Sequence, residues 1–145
     1  MATIANAKAT LRIMGDTLIP EEITKLLGAA PTEAQYKGQV MVGTKTGTSR
    51  RAKSGMWRLR AAETTPGDFD AQVQEIICQL ADDVAVWDDL ASRYEIDLYC
   101  GWFMEKENEG VEISAKSLRE LGARSIDLQL DIYAGDRDEG PSHKG

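Results

Sequence analysis

The segment from Gly43 to Trp57 concentrates residue types that could hold a phosphate or another anion. It reads GTKTGTSRRAKSGMW, in which glycines punctuate a run of hydroxyl and basic side chains. A Walker-type phosphate loop needs the spacing G-x-x-x-x-G-K-[ST], because its backbone amides wrap the phosphates and its lysine reaches the terminal ones. Here Gly43 and Gly47 are one residue too close, and Thr48 and Ser49 stand where Lys and Ser/Thr are required. The segment is therefore not a nucleotide loop.

A looser anion contact through the basic loop at residues 43–55 stays open. The alternative is a surface hairpin that pairs residues 39–42 with residues 56–60 and leaves the loop solvated between them. The candidate binding residues are Lys45, Arg50, Arg51 and Lys53 in the loop, with Arg58 and Tyr99 on predicted strands.

The sequence contains few residues in patterns that are typical of catalytic sites. The only histidine is His143, in a polar tail, so the folded part has none for Ser-His, Cys-His or histidine-metal sites. Cys78 and Cys100 lack C-x-x-C spacing and are predicted to be reduced, largely buried thiols. The aspartate pairs at 82–83 and 88–89 fall between apolar helical positions, which is typical of a solvated face. We predict no catalytic residue, no metal site and no cofactor, and the sequence favours a protein that is not an enzyme.

Length and composition indicate one soluble domain. The chain has 145 residues, of which 42% are hydrophobic and 28% charged, enough to bury a single core. No window approaches the 18 to 20 apolar residues of a membrane span. The N-terminus lacks the apolar stretch of a secretory signal, so a cytoplasmic location is expected.

Charge is distributed unevenly along the chain. Residues 1–61 carry a net charge of +6 and residues 62–145 a net charge of −13. No acid lies between Glu33 and Glu63, an interval that holds seven basic residues. Such asymmetry indicates either an anionic partner or a basic segment that folds against the protein's own acidic half.

Hydrophobic periodicity predicts the element order β-α-β-α-β-α-β. Alternation predicts strands at residues 9–14, 56–61, 95–104 and 126–133. Pro20 and Ser114 begin two short helices, and steps of three and four between residues 68 and 94 predict one long helix, or two with a break near residues 82–83. Residues 1–133 form the predicted domain, and residues 134–145 a disordered polar tail.

The first and third strands are each followed by a short helix, a Leu-Gly stop and another strand. Two β-α-β halves of this kind predict an α+β, ferredoxin-like sandwich with a mostly antiparallel four-stranded sheet and the long helix between the halves. A doubly wound parallel sheet is the alternative. It is disfavoured because strands buried on both faces are apolar throughout, and these strands alternate.

The outward residues of the predicted sheet bear on nucleic-acid binding. Tyr99 and Phe103 fit the stacking platform of an RNA-recognition module, but the strand aspartates would repel a phosphate backbone. The ferredoxin order places Arg12 beside Asp97 or Asp131, and sets the arginines of the second strand beside Asp97. Nucleic acid is therefore an unfavoured partner.

The order and spacing of several fragments resemble a bacterial family catalogued as a domain of unknown function, number 4279. The matching residues are Gly15, Pro20-x-x-Ile23-Thr24, Leu27-Gly28, Pro31-Thr32, Lys37-Gly38, Trp57, Ser114-x-x-x-Leu118-x-x-Leu121-Gly122 and Asp131-Ile132-Tyr133. The resemblance spans about residues 9–133. It implies a small single-domain protein and supplies no catalytic residues.

Two functional interpretations follow. The first, which we favour, is a non-enzymatic protein-interaction module of the kind used by immunity or inhibitor proteins, whose acidic half would suit a basic partner. The second is a small-ligand or anion-binding domain, conceivably a weak enzyme, that uses the basic loop. A homo-oligomer is compatible with either.

Overall fold

The computed structural model describes residues 4–43, 47–106 and 110–135. The strands are β1 (Ile4–Gly15), β2 (Glu33–Gln35), β3 (Val40–Val42), β4 (Ser49–Arg51), β5 (Gly55–Arg60), β6 (Glu95–Met104) and β7 (Asp127–Tyr133). The helices are α1 (Pro20–Leu27), α2 (Phe69–Ile77), α3 (Val84–Arg93) and α4 (Ala115–Ala123). The α+β class and the four predicted strands are confirmed.

A mixed five-stranded sheet runs in the order β2-β5-β1-β6-β7, and β3 and β4 form a separate two-stranded sheet. The central strand β1 is antiparallel to both β5 and β6, whereas β6 and β7 are parallel. The ferredoxin-like expectation is therefore wrong in detail. The two halves share a sequence layout, but β1 and β5 are antiparallel neighbours and only β6-α4-β7 is a parallel β-α-β unit.

The predicted long helix is two helices, α2 and α3, which break ahead of residues 82–83. Asp83 caps α3, since its carboxylate accepts from Ala85 N at 3.0 Å. The linker is held by two further bonds, from Ala81 N to Leu27 O at 2.9 Å and from Trp87 Nε1 to Ala81 O at 2.8 Å. The first bond ties the linker to the end of α1, and the second ties it to α3.

One face of the sheet carries the core. Alternate residues of the strands, among them Leu11, Trp57 and Leu98, are at most 1% exposed. Trp57 also donates from Nε1 to Thr24 Oγ1 at 3.1 Å, which fixes α1 on β5. Residues from all four helices join this core cluster, so the helices cover this face.

Both cysteines are free, and one of them contradicts the sequence prediction. Cys100 is buried in the sheet, and burial raises the pKa of its thiol to about 12. Cys78, at the end of α2, is exposed instead of buried. It follows the last core residue of the helix, Ile77, and so lies past the apolar stripe.

Within the described residues, no helix is both long enough and apolar enough to span a membrane.

Candidate interaction surface

The basic loop is built as a hairpin that stands apart from the main sheet. Val40 pairs with Arg51 and Val42 pairs with Ser49, so the partner strand of β3 is β4. The hairpin alternative, which paired residues 39–42 with residues 56–60, is therefore wrong. The ladder is extended at its base by Ala52 N to Gln39 O at 2.8 Å. At its tip, Gly43 N donates to Thr48 O at 2.9 Å.

The two faces of the hairpin differ in character. Opposed residues of paired strands lie on the same face, and successive residues alternate. Val40 and Val42, 54% and 67% exposed, therefore share a face with Arg51, whereas Met41 and Arg50 lie on the other. These two exposed apolar side chains therefore lie beside an arginine on one face of the hairpin.

Three cations of the hairpin region have no acidic partner within the part of the chain that the structure describes. Arg50, Arg51 and Lys53 are exposed, and none forms an ion pair with a carboxylate of the described residues. Arg51 donates only to a backbone oxygen, Gly38 O, at 3.2 Å. We call Val40, Val42, Arg50, Arg51 and Lys53 the hairpin surface.

Other basic residues of the same acid-free interval are paired. Lys37 Nζ lies 3.1 Å from Asp16 Oδ2. Arg58 and Arg60 both reach the carboxylate of Glu33, the residue opposite Arg58 on β2. The structure thus divides the basic interval into a part that stabilises the sheet and a part, on the hairpin, that faces solvent.

A shallow groove of about 230 Å³ lies between the hairpin and the edge of the main sheet. Met41 of β3 and Met56 of β5 supply its apolar lining, and Glu33 and Arg58 its charged lining. Methionine side chains adapt their shape readily, so such a groove suits an apolar group from a partner.

On the open face of the main sheet, opposite the helices, the charged and tyrosine side chains bond to one another. Arg12 makes two hydrogen bonds to the Asp97 carboxylate, at 2.8 and 2.7 Å, and its guanidinium lies 4.5 Å from the Tyr99 ring centre. Tyr99 and Tyr133 both donate to Asp131 Oδ2, at 2.9 and 2.8 Å. The predicted pairing of Arg12 with Asp97 is confirmed, and Lys8, on the same face of β1, lies over the Phe103 ring with 5.6 Å between its Nζ and the ring centre.

The predicted site residues are only partly brought together. Lys45 lies outside the described residues. Arg50, Arg51 and Lys53 lie on or next to β4, with Arg50 and Arg51 on opposite faces of the hairpin. Arg58 and Tyr99, on β5 and β6, are separated by β1, and each has protein partners. The valines of β3 were not predicted as site residues, because their exposure beside Arg51 depends on the pairing of β3 with β4 and not on the local pattern.

A second polar cluster joins the starts of α2 and α4. The Asp70 carboxylate accepts from the hydroxyls of Ser114, at 3.0 Å, and of Ser117, which is 1% exposed. Burial raises the pKa of Asp70, but hydrogen bonds from Ser117 and Ser114 outweigh it and lower the pKa below its ordinary value. Because Ser114 is the N-cap of α4 and Ser117 lies in its first turn, their bonds to Asp70 of α2 form a clasp between the two helices.

No group of three or more potential metal ligands is found among the described residues.

A family model described as "Domain of unknown function (DUF4279)" matches residues 5–135, so the chain belongs to this family, as the sequence fragments indicated. No curated protein and no solved structure matches the chain.

Several of the residues that carry the family resemblance have structural roles. Trp57 and Thr24 are hydrogen-bonded in the core, and Gly28 ends α1 with φ 78°, a conformation that glycine adopts without strain. A side chain at Gly15 would collide with Tyr94, since its Cβ would lie 2.6 Å from that ring.

Proposed function

We propose that this member of the DUF4279 family is a non-enzymatic protein-interaction module that binds an acidic surface of a partner protein through its hairpin surface. The observation that carries the proposal is the set of three exposed cations, Arg50, Arg51 and Lys53, that have no carboxylate partner in the described part of the chain, beside two exposed valines. Isolated surface charges are common, but this group coincides with exposed apolar area on a projecting element. That combination is typical of a protein-binding patch.

The geometry argues against a single small anion as the ligand. Arg50 and Arg51 are successive residues of β4, so their side chains leave the strand on opposite faces. Two guanidinium groups arranged in this way cannot both close on one phosphate. Arg51 can instead contact a carboxylate of a partner surface whose apolar side chains pack on Val40 and Val42, which share its face, while Arg50 adds positive charge from the other face.

The acidic half offers a weaker case for a basic partner. Several of its carboxylates are already engaged: Asp97 with Arg12, Asp89 with Arg93, and Glu120 with Arg124. Asp131 accepts two tyrosine hydroxyls. A carboxylate that serves the fold is less available for a partner, so we place the contact on the hairpin and assign the protein to the immunity-like or inhibitor-like class of small binding proteins.

The proposal is tested by affinity capture from host lysate with the wild-type chain and with a triple variant in which Arg50, Arg51 and Lys53 become Ser. The wild type should retain a stoichiometric protein partner, and the triple variant should lose it. Lys8→Ser, Lys25→Ser and Lys116→Ser together make the matched control, because they remove the same charge from elsewhere on the surface.

The salt dependence of partner capture tests whether the hairpin cations make the contact. Binding through the hairpin surface weakens as salt is added, because exposed charge pairs are screened within about 10 Å at 0.1 M ionic strength. A partner retained by the triple variant and lost by the control variant would refute the hairpin as the binding surface. Recovery of a small anion, with no protein, would instead favour the anion-binding alternative.

A further inference from the structure

The two edge strands of the main sheet, β2 and β7, differ in length and regularity. The β2 edge is only three residues long, Glu33–Gln35, and follows Pro31 closely. The β7 edge runs for seven residues without proline or glycine, and pairs with β6 in unbroken register from Asp127 to Tyr133. Edge strands are usually shortened, bulged or broken to prevent pairing with another chain. β2 has that protection, and β7 lacks it.

The side chains of β7 strengthen this contrast. Leu128, Leu130 and Ile132 alternate along the helix-covered side, but α4 covers only the start of the strand. Ile126, just before β7, is 6% exposed, whereas Leu130 and Ile132 are 39% and 55% exposed. Among the described residues no strand pairs with the outer edge of β7, so this regular edge offers its backbone donors and acceptors together with two exposed apolar side chains.

We propose that β7 is a dimerisation edge, on which a second copy of this chain adds its own β7 in antiparallel orientation. The register that fits has Leu130 at the two-fold axis, opposite Leu130 of the second copy. Leu128 then lies opposite Ile132, and the whole apolar row of one copy meets that of the other. A two-fold contact of this kind closes on itself and stops at a dimer.

The charges of β7 select this register. With Leu130 on the axis, Asp131 lies opposite Gln129 of the second copy, and Asp127 lies opposite Tyr133. Asp131 thus meets an amide donor, and Asp127 meets the neutral Tyr133 side chain, whose hydroxyl donates to Asp131 of its own chain. A shift that puts Gln129 on the axis would oppose Asp127 and Asp131 directly, and like charges in opposed positions destabilise a sheet.

The polar row is also held in position for the contact. Hydroxyl bonds from Tyr99 and Tyr133 fix the Asp131 carboxylate, and the Tyr133 ring stacks on Phe103 with ring centres 4.7 Å apart. A partner strand therefore meets an ordered edge, which lowers the entropy lost on pairing.

Sedimentation velocity over a range of concentrations tests the dimer. The wild type should show a reversible monomer–dimer equilibrium. Leu130→Lys places two like charges on the axis and should raise the dimer dissociation constant at least about tenfold. Ile19→Lys, which changes an apolar residue of similar exposure, 52%, away from β7, should leave it unchanged. Circular dichroism of both variants checks that they fold.

Two further variants test the register. Gln129→Lys puts a lysine opposite Asp131 twice in the dimer and should lower the dissociation constant about three- to tenfold; the register centred on Gln129 predicts weaker association. Leu130→Cys, in a Cys78→Ser background that removes the exposed native thiol, should form a disulfide across the axis under mild oxidation.

A wild-type chain that stays monomeric at its highest soluble concentration would overturn the proposal. So would a dimer that Leu130→Lys leaves intact. A monomer whose captured protein partner is lost by Leu130→Lys, and kept by the hairpin triple variant, would assign β7 to that partner and refute both proposals. The dimer rests on apolar and backbone contacts, so added salt should not weaken it, unlike binding through the hairpin surface.

Discussion

The open face of the main sheet and the β3–β4 hairpin handle charge in opposite ways. One row across the sheet places Glu33, Arg58, Arg12, Asp97 and Asp127 side by side, on five successive strands. The two central arginines would repel each other, but each turns to the acid on its outer side. The hairpin has cations of the same kind from the same stretch of sequence, and no described carboxylate beside them.

The difference teaches that strand register, and not local composition, decides whether a charge serves the fold. Arg58 and Arg51 are seven positions apart in one acid-free interval. The first lies opposite Glu33, because β5 pairs with β2, and the second lies opposite Val40, because β4 pairs only with β3. An exposed charge without an ion-pair partner lowers the free energy of unfolding only slightly, so the hairpin cations have little effect on stability.

The largest expected effect contrasts the two regions at their apolar residues. Trp57→Ala should lower the free energy of unfolding by about 3 to 5 kcal/mol, because the side chain is fully buried and its indole bonds Thr24. Val42→Ala, on the hairpin, should change it by less than about 0.5 kcal/mol. Urea denaturation of both variants measures the contrast. A small loss for Trp57→Ala would place that side chain outside the core.

The second effect lies in the ion pairs of the sheet. Asp97→Ala should cost about 2 to 3 kcal/mol, since Asp97 is 3% exposed and the Arg12 guanidinium would remain half-buried without its acid. A double-mutant cycle on Arg12 and Asp97 should give a coupling above about 1 kcal/mol, and the more exposed Arg58 and Glu33 pair a smaller one. Equal couplings would show that burial does not separate the pairs.

A third and smaller effect is the acid sensitivity of the clasp that Asp70 forms between α2 and α4. The pKa of Asp70 is lowered in the folded protein, so its contribution to stability is present above the ordinary value of 3.8 and is lost as the pH falls through the folded value. Asp70→Asn should therefore lower the melting temperature at pH 6 and flatten its fall below about pH 4. Melting curves from pH 2 to 7 for both chains provide the measurement. Parallel curves would exclude the carboxylate as the titrating group.

The smallest expected effect is at the hairpin. The triple variant of Arg50, Arg51 and Lys53 to Ser should change the free energy of unfolding by less than about 0.5 kcal/mol, because it removes no ion pair among described residues. Thermal melts at low and high salt supply the test. A loss of several kcal/mol would mean that these cations hold the protein's own acidic half.

Local pattern was sufficient for much of the fold. Alternation located the strands that became β1, β5, β6 and β7, and the predicted N-cap Ser114 does accept from Ser117 N at 3.0 Å. The short strands of the hairpin were harder to locate. The hairpin prediction had β3 but assigned it the wrong partner, because the three exposed residues of β4, Ser49–Arg51, show no apolar alternation.

Sequence by itself determined the α+β class, the family and the division of charge between the two halves of the chain. Only the tertiary structure decided that β1 pairs with β5 and β6, that Arg12 faces Asp97, and that Arg50, Arg51 and Lys53 form no ion pair with a described carboxylate. The physical reason is that periodicity is a property of neighbours in sequence, whereas pairing joins residues tens of positions apart. A shift of one residue in register moves every side chain to the other face, and so changes which charges meet.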